Sequence, residues 1–253
     1  MAIDLKSISH GKTPKPPRII LVGVEKIGKS TFASQSPSPI FVQVKGETGL
    51  DMIEVPKFPP VAKYEELMEV FAALDGEHEF KTVCLDSVST LEPMICEYAC
   101  RQEGVTSIAK LGGGYGRQEE VLCTYARQIM DSIDYLRDAH SMGCILICHT
   151  KANPKTFNDP ETDPYDTWKV EMRDSIASAF FRWADAILFA TWKRYTKSTE
   201  VGQKKIIHAT GAGERVIYTE KRPAFTAGTR YRLPFELNCS YAAFAEALAA
   251  AQR

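Results

Sequence analysis

Residues 21–31 read "LVGVEKIGKST", which contains the pattern G-x-x-x-x-G-K-[ST] between an apolar run and a predicted helix. The glycines let the backbone fold around a phosphate chain with its N–H groups inward, and the helix N-terminus favours the anion. Lys29 supplies a positive charge to the β and γ phosphates, and Ser30 supplies a hydroxyl ligand for a metal ion. The stretch therefore predicts ATP and Mg²⁺ as cofactors, with GTP left open as the nucleotide. The residues expected to hold the triphosphate are Gly23, Val24, Glu25, Lys26, Ile27, Gly28, Lys29, Ser30 and Thr31.

The composition is that of an ordinary globular protein, since 44% of the 253 residues are hydrophobic and 25% are charged. The formal net charge is −1, so no overall positive field indicates nucleic acid or an anionic membrane, and any nucleic-acid surface must be a local patch. No apolar run has the length of a signal-peptide core or a membrane span. We therefore expect a cytoplasmic protein with no membrane partner.

Apolar runs alternate with helical patterns along the first part of the chain, which is typical of a mostly parallel sheet with helices on both faces. The predicted strands are 19–22, 40–44, 82–86 and 143–150. The predicted helices begin near Lys29 and cover 64–76, 88–103 and 117–139. Beyond residue 185, the runs "AILFATWKRY", "QKKIIHATG" and "RVIYTEKRP" indicate antiparallel strands appended to that sheet.

These patterns predict an α/β fold of the P-loop NTPase type with one main domain. Its sheet is expected to be mostly parallel, with an antiparallel C-terminal extension. The predicted organisation is a flexible, proline-containing lead-in at 1–17, an ATPase core at 18–237 that includes the antiparallel hairpin, and a C-terminal helix at 238–253.

Three polar residues are expected at the carboxyl edge of the sheet, where ligands of parallel α/β folds bind. Asp86 ends the run "TVCL" and is predicted to orient the metal ion with Ser30. Glu47 follows the second strand and is our candidate for the base that activates water. His149 ends "CILIC" and could sense the γ-phosphate, so the predicted catalytic residues are Glu47, Lys29 and His149. The alternatives are a helix cap for Asp86, a solvated loop residue for Glu47 and a packed strand end for His149.

The order "GVEKIGKST", Glu47, "TVCLDSVSTL", "CILICHTK" resembles the RecA-type recombinase core over residues 18 to about 195. This resemblance implies that Glu47 activates water, that Asp86 is the metal carboxylate, and that His149 couples the γ-phosphate to a DNA-binding loop. The chain is also similar to compact phage ATPases of the Sak-four type, through His149 and the late segment "GTRYRLPFEL". The implied function is ATP hydrolysis linked to single-stranded DNA in recombination or annealing. A phage protein would work in the cytoplasm of its bacterial host.

The resemblance further implies a ring or filament of identical subunits with nucleotide bound between them, and it makes a single-stranded DNA-binding protein a candidate partner. The Sak-four pattern has Lys-Asn before its late arginine, whereas this chain has Gly228 and Thr229 before Arg230. The chain therefore lacks a lysine at the place where that pattern has a finger for the neighbouring subunit's nucleotide. The candidates for such a finger are Arg230, Lys221 and Arg222.

Three segments combine basic and aromatic residues in the manner expected of a single-stranded DNA site. The candidates are Lys110, Tyr115 and Arg117 in the expected mobile loop 105–116 and just after it, Lys151 and Lys155 in the expected loop 151–169, and Lys193 and Arg194 in the late hairpin. Four acidic residues also lie within 151–169, so that segment could instead be an ordinary acidic surface loop. The hairpin could likewise be a solvated tip.

Two other functions use the same phosphate-binding pattern. A small-molecule kinase would add an acceptor pocket, for which the glycines at 112–116 followed by Arg117 are a weak candidate. An adaptor or loader of a replication machine would bind ATP and a partner without depending on hydrolysis. Substitution of Glu47 separates the last case from an ATPase, because an adaptor would still bind its partner.

Overall fold

The computed structural model describes residues 10–156, 161–201, 204–211 and 213–252, with the backbone alone at 155–156, 196–201 and 204–210. The helices are α1 Lys29–Ser34, α2 Tyr64–Ala73, α3 Leu91–Gln102, α4 Gln118–His140, α5 Asp174–Trp183 and α6 Tyr241–Gln252. The strands are β1 Arg18–Gly23, β2 Pro39–Gln43, β3 Thr82–Asp86, β4 Gly143–Thr156, β5 Tyr165–Val170, β6 Ala186–Trp192, β7 Tyr195–Val201, β8 Lys204–Thr210, β9 Arg215–Tyr218, β10 Gly228–Thr229 and β11 Glu236–Asn238.

The main sheet has the strand order β11-β9-β6-β1-β4-β3-β2, with β5 paired to β4 and β10 to β6. The five strands from β6 to β2 in this order are parallel, and β5, β9, β10 and β11 run antiparallel to their neighbours. Strand β1 lies in the middle, so Gly23 is opposite His149 of β4 on one side and Ala190 of β6 on the other. The predicted fold class is confirmed.

Helices cover both faces of the sheet because its parallel strands are apolar on both sides. Helices α2 to α5 pack on one face, where Phe71, Ile95 and Ile133 join the larger core. Helices α1 and α6 pack on the other, and Phe32 of α1 meets Phe244 of α6 with ring centroids 6.3 Å apart. Among the described residues, no helix has the length and apolar character to cross a membrane.

Two strand expectations are wrong in detail. Ala186–Trp192 was expected to be antiparallel but is a fifth parallel strand beside β1, because α5 carries the chain back across the sheet before it. The expected loop 151–169 is partly a hairpin, since β4 continues to Thr156 and pairs with β5. Residues 157–160 lie outside the described part of the chain.

Two segments expected to be mobile are held by contacts. In the loop 105–116, Ile108–Gly113 forms a short 3-10 segment, and Leu111 is fully buried in the core. At the end of the lead-in, the carbonyl of Pro16 accepts a hydrogen bond from Arg137, and that of Pro17 accepts one from the backbone of Cys144. Residues 16–17 are therefore fixed against α4 and the start of β4.

Candidate nucleotide site

The phosphate-binding loop joins β1 to α1, as the sequence pattern predicts. Gly28 has φ 103°, a conformation that favours glycine, and a Cβ at Gly23 would lie 2.6 Å from the carbonyl oxygen of Ala190. The Lys29 Nζ donates to the carbonyl oxygens of Gly23 (2.9 Å) and Val24 (3.0 Å). Burial lowers the pKa of Lys29, and nearby carboxylates only partly offset this effect. The amine is thus held inside the loop, where a phosphate can replace the two carbonyl partners.

Ser30 and Asp86 meet at the carboxyl edge of the sheet, with the Ser30 Oγ donating to Asp86 Oδ2 over 2.8 Å. Adjacent oxygens around Mg²⁺ lie about 3 Å apart, because its bonds are about 2.1 Å long and octahedral. A hydroxyl and a carboxylate also suit this ion, which takes its other ligands from phosphate and water. Among the described residues, no cluster of three or more His, Cys, Asp or Glu forms a different metal site. The pair therefore fits Mg²⁺ bound together with a nucleotide.

The electrostatics of Asp86 favour the same conclusion. Burial raises the pKa of Asp86, and the charge of Glu47 adds to this rise, while the hydrogen bond from Ser30 opposes it. A bound cation would stabilise the ionised form of a buried carboxylate that lies near a second carboxylate.

Gly49 lies directly against this pair, since a Cβ at that position would be 2.9 Å from the Ser30 Oγ and 3.3 Å from Asp86 Oδ2. We expect Gly49→Ala to weaken Mg²⁺ affinity about tenfold, because the methyl group would occupy the space beside both ligands. The measurement is a Mg²⁺ titration of nucleotide binding. Gly228→Ala is the control, because no atom lies within 4 Å of its Cβ. Equal Mg²⁺ affinity in both variants would contradict this placement of the metal.

Glu47 is oriented by residues from two neighbouring strands. Its Oε1 accepts a hydrogen bond from the Ser87 Oγ (2.7 Å) and lies 3.2 Å from the His149 Nε2. The hydrogen bond with His149 lowers the pKa of Glu47 against the opposing effect of burial, and Ser87 lowers it further. The carboxylate is therefore ionised, as a base must be. The backbone N–H of His149 donates to Ser89 Oγ (2.9 Å), which fixes the middle of β4 to the segment after β3.

Comparison with known proteins supports the same class of site. A model for the family described as an AAA domain matches residues 15–231, which is most of the chain. The chain belongs to this AAA domain family. No curated protein matches it.

An AAA domain is a P-loop ATPase domain, so the chain has the fold and the nucleotide site of an ATP-binding and ATP-hydrolysing protein. Members of the family usually bind the nucleotide with Mg²⁺, in agreement with the Ser30–Asp86 pair. The RecA-type and Sak-four-type resemblances are finer than this assignment and stay predictions.

In the structure of this AAA domain, the finger candidates Arg230, Lys221 and Arg222 lie near Asp185, a surface cavity and Tyr218. The Arg230 Nη1 pairs with Asp185 Oδ1 (2.9 Å), and Asp185 also binds Arg18 at the start of β1. Lys221 lines the same shallow cavity as Arg230, and the Arg222 guanidinium lies 4.2 Å from the ring centroid of Tyr218. Arg18 is five residues before Gly23, so Arg230 lies about 17 Å from the phosphate edge of the sheet. Arg230 could therefore act only on a neighbouring subunit.

The DNA-binding candidates are mostly exposed. Tyr115 is 103% exposed, and Lys110, Arg117, Lys151 and Arg194 are also at the surface. Lys193 differs, because its Nζ pairs with Glu236 and lies over the ring of Tyr195. Lys155 is described by its backbone alone, within β4.

Two residues that lie against the phosphate loop or the Ser30–Asp86 pair have no role in the sequence predictions: Gly49 and Arg215. The pattern "GETG" offered a signal for Gly49, since a glycine after a predicted base often permits close approach. For Arg215 the sequence holds no such signal, because its side chain reaches the phosphate loop from 188 residues further along the chain.

Proposed function

We propose that this AAA domain hydrolyses ATP under the control of single-stranded DNA, in recombination or annealing. The observation that supports it is the contact between Glu47 and His149, because His149 lies on β4, which continues directly into Lys151 and the β4–β5 hairpin. A change at the γ-phosphate would thus reach a candidate DNA-binding segment through one continuous strand.

The residues of the site divide the reaction between them. Lys29 leaves the carbonyls of the loop and binds the β and γ phosphates. Ser30 and Asp86 would hold Mg²⁺, which would supply charge neutralisation at those phosphates. Glu47, aligned by Ser87, accepts a proton from the water that attacks the γ-phosphate. His149 exchanges its contact with Glu47 for one with the γ-phosphate, and this exchange is the signal to β4.

A network of ion pairs connects the two candidate DNA-binding regions. Arg173 follows β5 and pairs with Glu92 of α3 and with Glu119 at the start of α4. Ser175 also donates to Glu119. The loop that carries Tyr115 ends where α4 begins, so the loop and the β4–β5 hairpin are held on the same side of the molecule.

The exposed Tyr115 ring gives a direct test of DNA binding. Glycines with positive φ flank it on both sides, and the side chain is fully exposed. Stacking of a base on an aromatic ring contributes about 1–3 kcal/mol. We therefore expect Tyr115→Ala to weaken binding of an oligothymidine strand roughly tenfold and to reduce the DNA stimulation of ATP hydrolysis. The measurement is strand affinity and ATPase rate at low and high salt.

The control is Tyr135→Ala, which removes an exposed tyrosine of α4 outside the candidate segments. Affinity for the strand should fall steeply with salt in the parent, because lysines and arginines replace counterions on phosphates. No stimulation by DNA and no salt-sensitive binding would overturn the DNA part of the proposal, while leaving ATP hydrolysis in place.

Assembly with a second copy completes the proposed site. Among the described residues, no arginine is hydrogen-bonded to Ser30, Asp86 or Glu47. A neighbour's Arg230, Lys221 or Arg222 would supply the missing positive charge. Light scattering should then show larger assemblies with MgATP than without nucleotide, and a mass that does not change would contradict this arrangement.

One observation favours a small-molecule kinase as a second candidate. A cavity of about 800 Å³ lies beside His149 and is also lined by Lys151, Glu171 and Arg173. Its position next to the expected γ-phosphate would suit a phosphate acceptor. An ATPase releases one inorganic phosphate for each ATP consumed, whereas a kinase transfers that phosphate to an added acceptor. Full recovery as inorganic phosphate in the presence of cell metabolites would dismiss the kinase.

A further inference from the structure

The catalytic residues determine the direction in which a nucleotide must lie. In the sheet order, β4, β3 and β2 are all on one side of β1, and they carry His149, Asp86 and Glu47. The γ-phosphate must point toward that side. The α-phosphate, the ribose and the base therefore extend over the strands on the other side of β1, which are β6 and, beyond it, β9.

Two side chains stand at the ligand edge of the sheet on the face that carries the phosphate loop: Trp192 at the end of β6 and Arg215 at the beginning of the antiparallel β9. Ala190 of β6 and Ile217 of β9 belong to the smaller core with Ile27 of that loop. Alternate residues of a strand share a face. Trp192 and Arg215 therefore lie on the same face, and they are direct partners in the β6–β9 register.

Arg215 already touches the phosphate loop. Its Nη1 lies 3.5 Å from the carbonyl oxygen of Ile27, and a Cβ at Gly28 would come within 2.8 Å of the same nitrogen. The guanidinium is thus beside the first turn of α1, where the α-phosphate lies when Lys29 binds the β and γ phosphates. Its remaining N–H groups match the geometry of a phosphate.

Trp192 has a large apolar ring that is partly exposed to solvent. Its relative exposure is 42%, which sets it apart from the buried residues of the same strand. An indole next to the expected ribose offers a flat surface for stacking, which tolerates any base because each has a π face.

We propose that Trp192 and Arg215 form the nucleoside half of the site, with Trp192 stacking on the base and Arg215 binding the α-phosphate. This inference rests on the proposed nucleotide function. It assigns affinity for the nucleoside to the ends of β6 and β9 and leaves phosphate transfer to the other side of β1.

Two probes separate the base from the phosphates: MgATP and magnesium tripolyphosphate, which has three phosphates and no nucleoside. Binding is measured by isothermal titration calorimetry on the full chain. Trp192→Ala should reduce the affinity for MgATP roughly tenfold and leave the affinity for tripolyphosphate unchanged. Trp192→Phe should keep most of the MgATP affinity, because it retains an aromatic ring. Arg215→Ala should reduce the affinity for both ligands roughly tenfold. Arg215→Lys should reduce it less, because lysine keeps the positive charge.

Kinetics give a second measurement that a merely structural role would not reproduce. Trp192→Ala should raise KM for ATP and leave kcat within about twofold, because uniform binding is lost while the γ-phosphate contacts remain. Equal weakening of both ligands by Trp192→Ala, or no effect of either alanine variant, would overturn the inference. If the parent chain binds neither ligand, the nucleotide function itself fails, which is a different result.

Discussion

Lys29→Ala should weaken ATP binding by roughly a hundredfold or more. Lys29 is only 5% exposed, and its Nζ has two carbonyl partners that a triphosphate can replace. Its charge therefore lies inside the loop. Hydrogen bonds to charged groups contribute about 1.5–3 kcal/mol each, and loss of two of them would weaken affinity by roughly a hundredfold or more. Fluorescence titration with a labelled ATP analogue measures the change.

The matched control is Lys57→Ala, which removes one positive charge from an exposed position outside the site. It should bind ATP like the parent chain. Circular dichroism of the Lys29→Ala variant should match that of the parent, because the lysine contacts the loop alone and α1 also packs through Phe32. Parental ATP affinity in a folded Lys29→Ala variant would refute the nucleotide site.

Glu47→Gln should leave ATP binding intact and reduce the rate of hydrolysis about 10²- to 10⁴-fold. The amide keeps the shape of the side chain and can still accept the hydrogen bond from Ser87. It cannot accept a proton from water, and general base catalysis typically contributes a factor of this size. Single-turnover phosphate release, measured at saturating ATP, separates the chemical step from binding.

Glu77→Gln is the control, because Glu77 is an exposed glutamate distant in sequence from the site and should retain the parental rate. A Glu47→Gln variant that hydrolyses ATP at the parental rate would show that another group activates water. The variant also tests the adaptor function: an adaptor would keep its partner and its biological activity when hydrolysis is lost, whereas a DNA-controlled ATPase would lose its activity.

Much of the site follows from short sequence patterns. The G-x-x-x-x-G-K-[ST] stretch specified the phosphate loop because its glycines, Lys29 and Ser30 act within one turn and its helix. The position of Asp86 was also predictable, since an apolar strand that ends in a carboxylate delivers it to the ligand edge. Both inferences depend on neighbouring residues in the chain, whose geometry is local.

The direction of β6 and the contacts of Glu47 were not predictable in the same way. A short apolar run such as Ala186–Trp192 suits a parallel or an antiparallel strand equally well. Its direction depends on α5 and on pairing with β1. Glu47 meets His149 across 102 positions of sequence, and no local pattern encodes that distance.

The sequence by itself determined the class of the protein: a P-loop domain with an apolar parallel sheet, a phosphate loop and a carboxylate at the ligand edge of that sheet. Only the tertiary structure decided which side of β1 holds the catalytic residues and which side is left for Trp192 and Arg215. The physical reason is that motifs and periodicity are properties of adjacent residues. The order of strands results from packing free energy shared over the whole core, to which residues far apart in the chain contribute together.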